Sequence, residues 1–174
     1  MSKIQQIHRR DFLKLFGLAS TGIILGCNIS SDKKDFVPQI DGVFTPNLFI
    51  HLEKNGNITL IASRSEMGQG IKTSLASAIA DELEADWKYI AVKQATGDEK
   101  YGNQNTDGSR SVRTRLTPMR KMGAAAKMML IAAAAQKWNV SETNCKAENH
   151  FVINKNTNAK IFFGDCIFQA KASA

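Results

Sequence analysis

The chain has 174 residues, is 43% hydrophobic and 22% charged, and carries a formal charge of +7. That balance is globular rather than disordered or transmembrane, and the lack of any sustained repeat excludes a collagen or coiled-coil identity. Three cysteines, Cys27, Cys145 and Cys166, are too few for a disulfide scaffold, and their spacing fits no zinc site.

In chain order, residues 1–26 have the pattern of a targeting segment. Lys3, Arg9, Arg10 and Lys14 precede the twelve-residue apolar stretch Leu15–Gly26, which is too short for a permanent membrane helix. The run His8-Arg9-Arg10-Asp11-Phe12-Leu13-Lys14 resembles a twin-arginine export signal, a receptor-read address rather than an anchor. A basic amphipathic helix is the plainer alternative. Ile24-Leu25-Gly26-Cys27 resembles the lipobox of bacterial lipoproteins, which makes Cys27 a lipidation candidate; otherwise Cys27 is a small residue closing the apolar stretch. The expectation is a protein of the periplasm or cell envelope, with a lipid anchor to the membrane if Cys27 is acylated. Without residues 1–26 the formal charge falls to +4, which weakens a nucleic-acid reading.

Residues 27–46, with Asp, Ser, Lys and two prolines, read as a linker, and residues 47–174 as the domain. Leu48, Ile50 and Leu52 alternate, Lys54-Asn55-Gly56 signals a turn, and Ile58, Leu60 and Ala62 alternate on the return, which predicts a hairpin. Ile71, Leu75, Ile79 and Leu83 stand four apart, which predicts a helix over 71–83. Its acids Asp81, Glu82 and Glu84 sit at the wrong end for the helix dipole and so should meet a partner group or serve solubility. Ile90–Gln94 reads as a strand, and 96–112 as a long polar loop of the functional kind. A helix with Pro118 in its first turn runs to Trp138; its face of Ala residues and Gly123 requires close approach to a neighbour. Ala147–Ile153 and Ala159–Phe163 read as a second hairpin, and Gly164–Ala174 as the start of a helix that simply stops. The fold class is therefore α+β: two β-hairpins with packed helices. Cys145 and Cys166 flank the second hairpin, either as separate buried thiols or as a bridge in an oxidising compartment.

Two loops carry chemistry. In Glu66-Met67-Gly68-Gln69-Gly70, between strand and helix, Gly68 and Gly70 permit positive φ and close backbone approach to a flat or anionic ligand. N–H groups entering the helix favour an anion, and the Gln69 amide donates and accepts together, as a planar heterocycle requires. It is neither a Rossmann loop nor a P-loop, and on physics alone it also fits a plain tight turn. The second is Thr106-Asp107-Gly108-Ser109-Arg110-Ser111, followed by Arg113, Arg115, Arg120, Lys121 and Lys127. Six basic residues and no acid between 110 and 127 suit phosphate oxygens, or else a solvated helix face. A nucleic-acid partner is not expected, because aromatic interleaving is missing.

An ordered series of these motifs carries a family resemblance. It comprises Arg9-Arg10, Met67-Gly68-Gln69-Gly70 with Thr73, Asp81-Glu82-Leu83-Glu84-Ala85-Asp86-Trp87, Gly108-Ser109-Arg110-Ser111-Val112-Arg113, Met119–Ala126, Ala132–Trp138 and Cys145–Asn149. The chain resembles the N-terminal portion of the molybdopterin-binding large subunit of the xanthine oxidase and aldehyde oxidase superfamily. Within it, the isoquinoline 1-oxidoreductase β-subunit type, also called periplasmic aldehyde dehydrogenase, is the nearer likeness. The resemblance implies an incomplete molybdopterin-binding domain. It implies a molybdopterin-type molybdenum cofactor, in one variant the cytosine dinucleotide form. Gly68, Gln69 and Gly70 are then cofactor candidates, with Ser109 and Ser111 behind them. Asp107 stands where the family's loop has glycine, and an acid beside phosphate is unfavourable unless it points away. The implied reaction oxidises aldehydes or N-heterocycles with oxygen taken from water. The implied partners are the remainder of the large subunit and an iron–sulfur small subunit, a cytochrome acceptor, or both. The family's catalytic glutamate has no counterpart: Glu66, Glu82, Glu84 and Glu148 are not assigned that role, and no metal ligand is expected. The expectation is therefore a truncated chain inactive alone; the alternative is a non-enzymatic exported lipoprotein or partner-binding domain.

Overall fold

The computed structural model describes residues 42–167. The Arg9-Arg10 signal, Cys27 and everything after Ile167 lie outside the described residues.

Strands β1 (Val43–Asn47), β2 (Ile50–Glu53), β3 (Ile58–Ala62) and β4 (Ile90–Gln94) form a sheet in that order. The first two pairings are antiparallel; β3 and β4 run parallel, from Ile58 opposite Ile90 to Ala62 opposite Gln94. Parallel neighbours need a crossover, and helix α1 (Ile71–Leu83) supplies it. The hairpin, α1 and β4 stand as the sequence predicts. Strand β1 occupies the end of the stretch expected to be linker. Pro46 hid it, and Pro46 sits where the β1–β2 register shifts, at the sheet edge, where a missing N–H is tolerated.

Helix α1 buries Ile71, Leu75, Ala76, Ile79, Ala80 and Leu83, and its packing on β3 and β4 meets the buried face of Ile58, Leu60 and Ala62. Each fully buried Leu or Ile contributes about 1.5–3 kcal/mol. Helix α2 (Arg110–Trp138) packs along α1 and also reaches the second sheet. A methyl group on Gly123 would stand 2.5 Å from the Ile79 carbonyl oxygen, so the close helix approach expected from its small residues is present. Glu82 of α1 receives the Arg120 Nε–H of α2 at 2.6 Å, which gives one of the misplaced acids its partner.

Helix α2 begins eight residues before Pro118, so that proline lies well inside it and not in its first turn. The long polar loop is correspondingly shorter, and Arg110–Val112 belong to the helix. Asn139 ends α2 in the left-handed conformation, its N–H bonded to the Ala135 and Gln136 carbonyls.

The second sheet corrects the two-hairpin expectation. It has three antiparallel strands, β5 (Cys145–Glu148), β6 (Phe151–Asn154) and β7 (Lys160–Phe162). The predicted single strand 147–153 breaks at Asn149 and His150, which have φ of 47° and 71°. Positive φ at both central residues is what a two-residue hairpin turn of the I′ kind requires. The fold is α+β with two small sheets and packed helices. A four-residue helix α3 (Phe163–Cys166) follows β7. Cys145 and Cys166 are separate, buried free thiols, and burial pushes the Cys166 thiol up to about 12.

Candidate functional site

The parallel pair β3–β4 fixes where the two candidate loops start. Ala62 and Gln94 are register partners at its carboxyl end, and the chain leaves them as loops 63–70 and 95–109. In open α/β arrangements, the carboxyl ends of parallel strands are where ligand-binding loops collect. The Gln94 amide donates to the Ala62 and Arg64 carbonyls at 2.9 and 3.1 Å and ties the two roots together. Further out, Thr106 Oγ1 donates to the Ser65 carbonyl at 2.8 Å.

The Gly68–Gly70 loop is exposed and rises into α1. Gly68 and Gly70 have φ of 90° and 80°, and a Cβ at either would meet nothing within 4 Å. The backbone can therefore be approached closely, as the sequence predicts. The helix N-terminus is different from expectation. Glu66 Oε1 accepts from the N–H groups of Gly68 and Gly70 at 2.8 and 2.9 Å, and Oε2 from Lys72 N–H at 2.9 Å. The anion favoured at the start of α1 is the protein's own side chain. These bonds, those from Lys72 and Gly70 first, hold the Glu66 carboxyl below its ordinary value. Gln69 is also drawn inward: its Oε1 accepts from Met67 N–H at 2.6 Å and its Nε2 donates to the Ser65 carbonyl at 3.2 Å. A carboxamide has two N–H groups and two lone pairs, so half of its capacity remains for a ligand.

Ser109 is the N-cap of α2 in the left-handed conformation, φ 52°, and its hydroxyl makes no capping bond. Ser109 is exposed, whereas Ser111 is buried in the first turn, so the two serines do not present equivalent hydroxyls. Asp107 is turned onto Arg110, whose Nε–H donates to Oδ1 at 3.2 Å. Arg115 donates to the Asn103 carbonyl at 2.7 Å, and Arg120 pairs with Glu82. Half of the six-residue basic run is thus committed within the fold.

Sequence reasoning missed Arg64, which is only 5% exposed. Its Nη1 donates to Asn103 Oδ1 at 3.0 Å and to the Asn105 carbonyl, and its Nη2 donates to Thr114 Oγ1 at 3.1 Å. Its Nε and the neighbouring Ser63 Oγ are buried without partners among the described residues. An Arg at the end of a buried strand is the signal that was available. Glu66 was missed as a ligand of the loop; an acid just ahead of a helix start was its signal.

A molybdopterin cofactor is a flat pterin with a phosphate. The open Gly68 and Gly70 backbone, the half-used Gln69 amide and the uncapped Ser109 hydroxyl have the chemistry to meet such a group, whereas the α1 terminus is already filled by Glu66. Across residues 2–173 the chain matches the model of the molybdopterin cofactor-binding domain, and it belongs to that family. It is homologous to the large subunits of the xanthine oxidase superfamily, including those of the isoquinoline oxidoreductase β-subunit type. Isoquinoline 1-oxidoreductase subunit beta of Brevundimonas diminuta is 28% identical over 171 residues, 93% of this chain and 22% of that protein. The membrane-bound aldehyde dehydrogenase [pyrroloquinoline-quinone] of Gluconacetobacter polyoxogenes is 33% identical over 133 residues, 76% of this chain and 17% of that protein. The chain thus spans about a fifth of the length of these relatives. Quinoline 2-oxidoreductase from Pseudomonas putida 86 shares the fold with a TM-score of 0.60 at 17% identity, over 72% of this chain and 16% of that one. CO dehydrogenase from Oligotropha carboxidovorans does so with 0.58 at 21% identity, over 67% and 15%.

Proposed function

We propose that this chain supplies one wall of the cofactor site of an exported molybdenum hydroxylase that oxidises aldehydes or N-heterocycles. The observation that carries the reading is the convergence of two loops from the carboxyl ends of β3 and β4, bonded to each other through Ser65 and Thr106. When bound, the cofactor supplies the redox chemistry. The chain's own part is to bind and orient it. The Gly68 and Gly70 backbone allows the pterin to lie close, Gln69 offers its remaining donor and acceptor, and the exposed Ser109 receives the phosphate or the cytosine dinucleotide extension, with the buried Ser111 behind it in the first turn of α2. The remainder of a large subunit closes the site. An iron–sulfur subunit, a cytochrome, or both carry electrons away. The protein is exported to the periplasm or cell envelope by the twin-arginine route and held at the membrane by a lipid on Cys27. The Arg9-Arg10 run and the Ile24-Leu25-Gly26-Cys27 sequence are what support this.

Purified chain should carry less than stoichiometric molybdenum and pterin and show no aldehyde oxidation; stoichiometric cofactor with turnover would overturn the partial-site reading. Molybdopterin cofactor released anaerobically and added in excess should slow amide exchange at 66–70 and 109–111. Unchanged exchange at both segments would overturn the site assignment.

A further inference from the structure

The two loops are held together by one buried side chain that the cofactor reading does not use. Arg64 follows β3, and its carbonyl is fixed by Gln94. Its guanidinium reaches 39 residues along the chain to Asn103, 41 to Asn105 and 50 to Thr114. Asn105 lies in the second loop, and Thr114 lies in the first turns of α2, immediately after Ser109 and Ser111. Asn103 is gripped twice, through its side-chain oxygen by Arg64 and through its carbonyl by Arg115 at 2.7 Å.

All of Arg64's acceptors are uncharged, and no carboxylate partners it among the described residues. A buried cation is costly unless its hydrogens are placed on acceptors. Arg115, half-buried, adds a second positive charge nearby. Two guanidiniums side by side without an acid are a poor device for stability alone. They are a good device for geometry, because a planar fork constrains distance and direction at each acceptor.

We propose that Arg64 is a positioning residue that locks the Asn103–Asn105 segment and the start of α2 onto the end of β3. In doing so it sets the spacing between the Gly68–Gly70 loop and Ser109. That both loops serve one ligand rests on the function proposed above; the mechanical coupling does not. A lysine at this position keeps the charge but loses the fork, and its donors all radiate from one nitrogen where arginine spreads them over two to reach three acceptors.

The test compares hydrogen exchange and side-chain NMR in the whole chain, Arg64→Lys and Thr114→Val. In the parent chain the Arg64 Nη1 and Nη2 protons, which carry the bonds, should give resolved, slowly exchanging signals near neutral pH. In folded Arg64→Lys, amide exchange at 103–114 should rise by about tenfold or more while β5–β7 keeps its protection, the mark of local opening. Thr114→Val should loosen the same segment to a smaller degree. A rise of equal size across the whole chain would show a merely structural role and overturn the proposal, as would unchanged exchange at 103–114. If local loosening occurs but added cofactor protects neither loop in the parent chain, the coupling stands and the cofactor reading fails. If cofactor protects both loops equally in the parent and in Arg64→Lys, the positioning role fails.

Discussion

Glu66 changes what the Gly-Gln-Gly loop can do. Its carboxylate stands where a bound anion would stand, so the loop is preformed by its own sequence rather than by ligand. Charge-assisted bonds from backbone N–H groups stabilise the ionised form. A carboxyl whose folded value is depressed stabilises the fold above its unfolded value and loses that effect as pH falls through the folded one. Glu66 is held below its ordinary 4.5, so slow exchange of the Gly68, Gly70 and Lys72 amides should persist at pH 5 and disappear only on further acidification. Glu66→Gln, which keeps one acceptor oxygen but no charge, should weaken that protection and abolish its dependence on pH, as two-dimensional NMR would register. Cys166 behaves oppositely. With its thiol pushed up to about 12 by burial, it should react with iodoacetamide only as fast as the chain unfolds; rapid alkylation of the native protein would contradict its placement.

At the level of elements, Gly123 decides how closely α1 and α2 approach. Gly123→Ala gains up to about 1 kcal/mol of helix propensity, but its methyl would press on the Ile79 carbonyl, a backbone atom that cannot turn aside. Overpacking of this kind costs about 1–3 kcal/mol, so chemical denaturation should show a net loss of up to about 2 kcal/mol. Gly123 also marks how far the sequence is legible. The four-residue spacing from Ile71 to Leu83 located α1, and the Ala-rich face located the contact, because both follow from the period of a single helix. The turn at Asn149-His150 did not show, because the usual signal is Asn-Gly and positive φ is uncommon at any residue other than glycine. The start of α2 was hidden by the polar run at 103–117, which has no apolar period. In the site, the glycines and serines were visible as loop residues. Arg64 and Glu66 were not, because their roles depend on partners up to 50 residues away or on how a side chain folds back on its own loop.

At the scale of the whole molecule, His150 joins the two sheets. It is fully buried against the rings of Tyr89, Phe162 and Phe163, with centroids 4.5–5.2 Å from its own. Its Nδ1 accepts from Asp86 N–H at 3.2 Å, which fixes the ring proton on Nε2, the donor to the Gly56 carbonyl in the β2–β3 turn at 2.9 Å. Its own N–H donates to the Glu84 carbonyl at 2.8 Å, and its carbonyl accepts from Phe163 N–H at 3.1 Å. Both ring nitrogens are therefore satisfied only in the neutral form, and burial holds the group below its ordinary 6.5. The half-buried His51 is lowered too, by burial and then by Lys93. Below 6.5 the unfolded chain takes up protons that the folded chain refuses, so stability must fall as pH falls from that point. The carboxylates with lowered values, Glu66, Asp86, Asp98 and Glu148, are exposed or only half-buried; their weaker contributions are lost only below about pH 4.5. The melting temperature should thus decline from near pH 6.5 to about pH 5, before the carboxylates act. His51→Gln should remove part of that decline and leave the rest, which belongs to His150. His150→Ala should cost about 3 kcal/mol at neutral pH by stranding the Asp86 N–H and Gly56 carbonyl and opening a cavity. A melting temperature that stays level down to pH 5 in the parent chain would mean that His150 accepts its proton in place, with Nδ1 no longer an acceptor for Asp86 N–H and a different junction between the sheets.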